Sequence, residues 1–210
     1  MFSYVFLLGR PGSGKSLVYR MLSGMIKDRN LADEVMRVDD FQVLKDLFDE
    51  DEGQEKHLET EGGFKVTDIS ILDDVLKRIN QNLKDLKRPG GLIFVEFSRS
   101  NYEEAMKNFE VDVLGDVLIV YIYSPFELTL ERNLRRFEES SGEVDDHLVP
   151  KDMMETYYKD DDYEETFLES EESLRDSTPA DLVVVRNDSE GVEKLRGELM
   201  KVIEALESSE

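Results

Sequence analysis

Gly9-Arg10-Pro11-Gly12-Ser13-Gly14-Lys15-Ser16 stands between an apolar run, Tyr4-Val5-Phe6-Leu7-Leu8, and a segment with Leu17, Val18, Met21, Leu22, Met25 and Ile26 at helical spacing. Strand, glycine-rich turn and helix start, in that order, are the context in which this spacing makes a phosphate-binding loop. The glycines let the backbone curl so that successive N–H groups point inward at phosphate oxygens. The helix N-terminus adds free N–H donors and partial positive charge. Lys15 then reaches the outer phosphates, and the Ser16 hydroxyl is placed to ligate a bridging magnesium ion. A nucleoside triphosphate site over residues 9–16 is the expectation.

Working outward, 210 residues suffice for one domain with a substantial core. No run of about 18 or more uncharged apolar residues is present, so no membrane span is expected. The start, Met1-Phe2-Ser3-Tyr4, lacks the basic, apolar and small-residue order of a secretory signal. With no cysteine there is no disulfide and no thiolate metal site. The expected setting is cytoplasmic. A net charge of −23 argues against nucleic acid or an anionic membrane surface as partner, because phosphates would be repelled. Between Glu138 and Asp176 stand sixteen acidic and three basic residues. That stretch is a candidate docking surface for a protein partner, and salt adaptation is an equally compatible origin.

Short apolar runs alternate with amphipathic stretches, the pattern of a parallel sheet covered by helices. Predicted strands cover about 2–8, 35–38, 92–95, 117–122 and 182–185. Predicted helices cover about 15–28, 69–86, 102–109, 150–174 and 191–206, with a short helical run through Phe48 and another helix beginning at Ser124-Pro125. Residues 49–63, acidic and glycine-containing, read as a mobile loop. His57 and His147 sit in acidic surroundings and read as solvated.

The loop 9–16, Asp39-Asp40-Phe41, Glu96-Phe97-Ser98-Arg99, and Tyr123-Ser124-Pro125 through Arg136 together resemble the P-loop nucleoside and nucleotide kinases, adenylate kinase and its small-molecule relatives. The resemblance covers nearly the whole chain in order of elements. It implies a three-layer α/β/α fold with a five-stranded parallel sheet in the order 2-3-1-4-5 and a helical lid after the fourth strand. Residues 1–210 would then form a single kinase domain, with an acceptor-side insertion at about 41–68 and an acidic lid arm at about 130–175. The guanine-reading Asn-Lys-x-Asp signature of GTP switches is missing, and Arg186-Asn187-Asp188-Ser189 follows the fifth strand instead. In the kinases that segment often lies against adenine, largely through backbone, which makes Asn187 and Asp188 candidate base contacts; a plain loop is the alternative.

Asp39 and Asp40 end the second predicted strand, at the edge where open α/β sheets bind ligands. A hydroxyl acceptor loses its proton as it attacks phosphorus, and a carboxylate within reach can take it. The Asp-Asp-Phe turn resembles that of the uridine-kinase group, which implies that role for Asp39 or Asp40 and places Phe41 beside the acceptor. Capping of the following helix is the competing role. Glu96, after four apolar strand residues, is where P-loop proteins keep the acid that organises magnesium. Arg99 matches the position that grips an acceptor, or else pairs with Glu103. Arg132 is spaced to share a helix side with Arg135 or with Arg136. Arg132 and Arg136 are candidates to neutralise the migrating phosphoryl group, against a salt-bridged face with Glu127, Glu131 and Glu138.

Two departures shape the reading. The arm lacks the further arginine of adenylate kinases, and its Asp160-Asp161-Asp162 run is expected to face solvent, a partner or a cationic ligand. Residues 41–64 carry Lys45, Lys56 and His57 but no arginine for an acceptor phosphate. The second favours a hydroxyl acceptor without its own phosphate, and the expectation is a small-molecule kinase using ATP and Mg2+. A nucleoside monophosphate kinase, an NTP-binding regulatory protein with incidental turnover, and, against its charge, a polynucleotide 5′-hydroxyl kinase stay open as rivals.

Overall fold

A computed structural model describes residues 2–53, 55–60, 63–138, 149–162, 179–189 and 191–209. Five strands, β1 (Tyr4–Leu8), β2 (Glu34–Asp39), β5 (Gly91–Phe97), β6 (Val117–Tyr123) and β7 (Asp181–Arg186), form one parallel sheet in the order β2-β5-β1-β6-β7. Counting only these five in chain order gives 2-3-1-4-5, the expected arrangement. β1 lies at the centre and is 0–2 % exposed along its whole length. That is why it reads as an unbroken apolar run: a parallel strand covered on both faces has no polar side to show.

Side chains alternate across the sheet and so build two cores. Tyr4, Phe6 and Leu8 point to one face, where α3 (Ile71–Leu86) brings Val75, Leu76 and Ile79, and α2 (Asp40–Glu50) brings Val43 and Leu44. The short helices α4 (Tyr102–Met106) and α5 (Val111–Leu114) complete that layer, in place of the one helix expected over 102–109. Val5 and Leu7 point to the other face, against Val18, Leu22 and Ile26 of α1 (Lys15–Arg29) and Leu199, Val202 and Ile203 of the last helix, Val192–Glu207, here α8. Truncating any of these fully buried leucines to alanine costs about 2–5 kcal/mol. Helix α1 stops at Asn30, whose left-handed backbone (φ 55°) turns its N–H back to Lys27.

Residues 49–63, expected as a mobile loop, instead lead into an antiparallel hairpin, β3 (His57–Thr60) with β4 (Gly63–Val66). Its anchors are polar and local. Asp51 accepts the N–H groups of Glu55 and Lys56, Thr67 donates its hydroxyl to the Glu55 carbonyl, and His57 is buried with its ring stacked on Phe48 at 4.1 Å. His57 is therefore a packed residue and not the solvated one expected. His147 lies outside the described residues.

After β6 the chain enters α6 (Phe126–Glu138). The expected helix over 150–174 is observed as α7 (Lys151–Met153) running into a wider π-helical turn, Met154–Tyr158. The parts of the acidic arm at 139–148 and 163–178 lie outside the described residues. An ion pair, Lys65 to Asp152 at 2.6 Å, joins the hairpin to α7.

Candidate nucleotide and acceptor site

Because β1 and β5 are hydrogen-bonded neighbours, the loop that follows β1 emerges beside Glu96. β2 flanks β5 on its other side, with Asp39 in register with Glu96. Loop, Glu96 and Asp39 thus meet at the C-terminal edge of the sheet by topology alone.

The loop's conformation depends on glycine at two close approaches. Gly12 has φ +81°, and a β-carbon there would lie 2.2 Å from the Thr129 carbonyl oxygen on α6. Gly14 has φ +96°, and its β-carbon would lie 2.5 Å from Nδ2 of Asn187. Gly9 donates its N–H to the Tyr102 hydroxyl, and Lys15 Nζ donates to the carbonyls of Gly9 and Arg10 and to Ser98 Oγ at 2.7 Å. Pro11 is buried. The Ser13 hydroxyl is buried inside the loop with no hydrogen-bond partner, an orphaned donor that a phosphate oxygen would satisfy.

Arg10 turns away from the loop's hollow. Its guanidinium donates to the carbonyls of Tyr158, Lys159 and Ser124 and to Asp161 Oδ1 at 2.6 Å. The Asp161 side chain is 1 % exposed and also accepts from the Tyr121 hydroxyl. Asp162 accepts the N–H of Tyr102 at the start of α4. These two aspartates therefore face the protein and correct the expectation that the Asp160–Asp162 run looks outward. A cation in the loop and unsatisfied backbone donors draw them in.

Ser16 Oγ donates to Glu96 Oε1 at 3.2 Å. One Arg37 nitrogen lies 3.1 Å from Ser16 Oγ, 2.8 Å from Glu96 Oε2 and 2.6 Å from Asp39 Oδ2. The other Asp39 oxygen accepts the Phe41 N–H, so Asp39 caps α2 while its free edge enters this cluster. Burial, with like charge from Asp40 and Glu96 added, pushes the Asp39 carboxyl up to about 7 against the pull of Arg37. Serine hydroxyl and carboxylates are hard oxygen donors, the set that suits magnesium.

Arg99 pairs with Asp40 at 2.8 Å and also donates to the carbonyls of Leu72 and Ser98. It is 4 % exposed. Its partner is Asp40 and not Glu103.

On the far side, Arg132 donates to Ser124 Oγ and the Asn187 carbonyl. Asn187 Nδ2 donates to the Ser13 carbonyl, so the segment after β7 grips the loop through a side chain. Arg135 is exposed. Arg136 stands on α6, but its side chain lies outside what is described, as do those of Phe137 and Glu138. The structure thus gathers residues 9–16, Asp39, Asp40, Glu96 and Arg99 on one side and Arg132 with Asn187 on the other. Arg37 was not singled out by sequence. The signal was there in its i, i+2 spacing to Asp39, which puts both on one face of β2.

No family model matches the chain, and no curated protein resembles it in sequence. Solved structures do resemble it in fold. A Kti12 from Chaetomium thermophilum in complex with ADP-AlF3 superposes with a TM-score of 0.61 at 14 % identity, over 97 % of this chain and 98 % of that one. A gluconokinase from Sinorhizobium meliloti gives 0.56 at 14 % identity, over 99 % and 94 %. The APS kinase of Mycobacterium tuberculosis, solved with AMPPNP and APS, gives 0.54 at 17 % identity, over 98 % of each chain. At these identities the likeness establishes the fold alone, a three-layer α/β/α P-loop architecture.

Proposed function

We propose that the chain is a phosphotransferase that moves the terminal phosphoryl group of Mg-ATP to a hydroxyl group of a small acceptor. The observation that carries this reading is the position of Asp39. It is in register with Glu96 and shares one polar cluster with Ser16, so a carboxylate stands beside the phosphate-binding loop. The kinase names carried by similar folds agree with a small acceptor.

In this reading the loop's N–H groups and Lys15 hold the triphosphate, and Ser16 with Glu96 orients the magnesium ion. Bound there, magnesium neutralises charge on the phosphate oxygens. Asp39 accepts the acceptor's hydroxyl proton as that oxygen bonds to the terminal phosphorus and the bond to the bridging oxygen of ADP breaks. Asp40, fixed by Arg99, is the second acid at the acceptor. Arg132 approaches from α6, and Arg136 is the further candidate there. Catalysis is then mostly positioning and electrostatic stabilisation. An acceptor that already bears a phosphate suits the site poorly: Arg99, Lys56 and Lys65 are each committed to an aspartate.

The test is transfer of labelled phosphate from Mg-ATP to panels of nucleosides, sugar-like polyols and nucleoside monophosphates. Lys15→Ala should abolish binding of ATP, and Asp39→Asn with Asp40→Asn should abolish transfer while ATP still binds. Tight ATP binding with no transfer to any acceptor would replace the kinase reading by a regulatory one. Preferred transfer to a monophosphate would replace the hydroxyl acceptor by a phosphate acceptor.

A further inference from the structure

Arg37 is used neither by the loop motif nor by the chemistry proposed above. A terminal guanidinium nitrogen carries two hydrogens, and arginine characteristically spreads its donors as a fork over one carboxylate. Here a single terminal nitrogen lies within 3.1 Å of three oxygens, on Ser16 of α1, Asp39 of β2 and Glu96 of β5. Three acceptors from three elements around one nitrogen is how a point cation is surrounded. The oxygens are those that the proposed chemistry assigns to the metal and to the proton acceptor.

The fold sets this nitrogen in place. Arg37 and Asp39 share a face of β2, and Asp39 lies opposite Glu96 in register. Behind the guanidinium lies the Tyr19 ring, with the guanidinium carbon 5.4 Å from its centroid, and Tyr19 packs edge-on against Phe94. Side-chain exposures of 21 %, 15 % and 10 % for Arg37, Asp39 and Glu96 keep the cluster largely out of water.

We infer that Arg37 is the resident counter-cation of the Ser16, Asp39 and Glu96 oxygens, filling the metal's place in the nucleotide-free protein and excluding a divalent ion until phosphates arrive with it. The inference rests on the magnesium–nucleotide reading above. Arg37 sets one positive charge among the carboxylate oxygens of Asp39 and Glu96; without it those oxygens stand beside the Ser16 hydroxyl with no counter-charge in their midst. That is a set to which a divalent cation binds unaided. When phosphates bring in their own negative charge, the guanidinium has a new planar acceptor to turn to. Arg37 is thus a positioning residue for metal entry.

Manganese, followed by its electron paramagnetic resonance, tests this with the full chain at pH 8. Wild type, Arg37→Gln, Arg37→Lys and Arg37→Gln with Glu96→Gln are titrated with and without ADP. Wild type and Arg37→Lys should take up Mn2+ at this site only with nucleotide. Arg37→Gln should bind one ion without nucleotide, at least about tenfold more tightly, given the strength of a unit charge at such distances. The added Glu96→Gln should abolish that gain, which separates it from uptake by the acidic surface. Equal nucleotide-free affinity in wild type and Arg37→Gln, with Mn2+–ADP binding intact, would overturn the role of Arg37 alone. Failure of every form to bind Mn2+–ADP would instead remove the nucleotide reading. Should Arg37→Gln not fold, nucleotide-free uptake by wild type that Glu96→Gln abolishes overturns the inference, and nucleotide-dependent uptake upholds it.

Discussion

Replacing Asp161 by asparagine should cost the protein about 3 kcal/mol, the low end of the 3–5 kcal/mol typical of removing one partner from a buried ion pair. The figure follows from the surroundings. Asp161 and Arg10 have side-chain exposures of 1 % and 11 %, with a contact of 2.6 Å. The substitution keeps shape and an oxygen for the Tyr121 hydroxyl but leaves Arg10 uncompensated. Arg10 retains three carbonyl acceptors, at Tyr158, Lys159 and Ser124, which is why the low end applies. For a chain of this size about 3 kcal/mol corresponds to roughly 6–12 °C in melting temperature. Urea unfolding of wild type, Asp161→Asn, Arg10→Met and the double variant gives the coupling. A coupling of about 2 kcal/mol is expected; additivity within about 0.5 kcal/mol would refute the claim that this pair ties the arm to the loop.

Three further outcomes are expected. In metal- and nucleotide-free protein, Asp39→Asn should gain stability over wild type as pH rises from about 4 to about 7, by up to about 4 kcal/mol. The sign is set by a folded carboxyl that holds its proton after the unfolded one has released it, so ionisation works against folding; a difference flat across that range in urea titrations would contradict it. Gly12→Ala should lower stability by at least about 2 kcal/mol and abolish ADP binding, since its β-carbon meets the Thr129 carbonyl at 2.2 Å on a left-handed backbone; an alanine variant with normal calorimetry would refute the close approach. Asn187→Ala should weaken ADP and GDP alike by about tenfold, through the lost bond to the Ser13 carbonyl; a selective loss of ADP, read by the same calorimetry, would show base contact instead.

The sheet was legible because its strands are short apolar runs and the loop motif fixes which of them is central. The grouping of Ser16, Asp39 and Glu96 was legible too, from the hydroxyl that closes the loop motif and from two acids at strand ends. What sequence did not disclose has a common character: each feature is a contact between side chains that only the fold brings together. Arg37 reads as an ordinary polar strand residue until β5 brings Glu96 beside it. His57 reads as solvated until Phe48 stacks on its ring. Asp161 reads as one of a solvated run until Arg10, 151 positions earlier, is found against it. The hairpin at 57–66 was hidden for a related reason, being too short for an alternation pattern and held by Asp51 and Thr67.

The burial of β1 sets the loop apart from the β3–β4 hairpin in how each can open. The strand from which the loop springs is shielded by a neighbour on each edge and a helix layer on each face, so its amides exchange hydrogen only when the whole sheet comes apart. The β3–β4 hairpin belongs to a separate two-stranded sheet, and a surface ion pair clasps it to α7. Such a pair contributes about 0–1 kcal/mol and weakens with salt. Opening at that clasp therefore costs far less than opening the strand beneath the loop, and it reaches the loop through the contacts of Arg10 with Tyr158, Lys159 and Asp161.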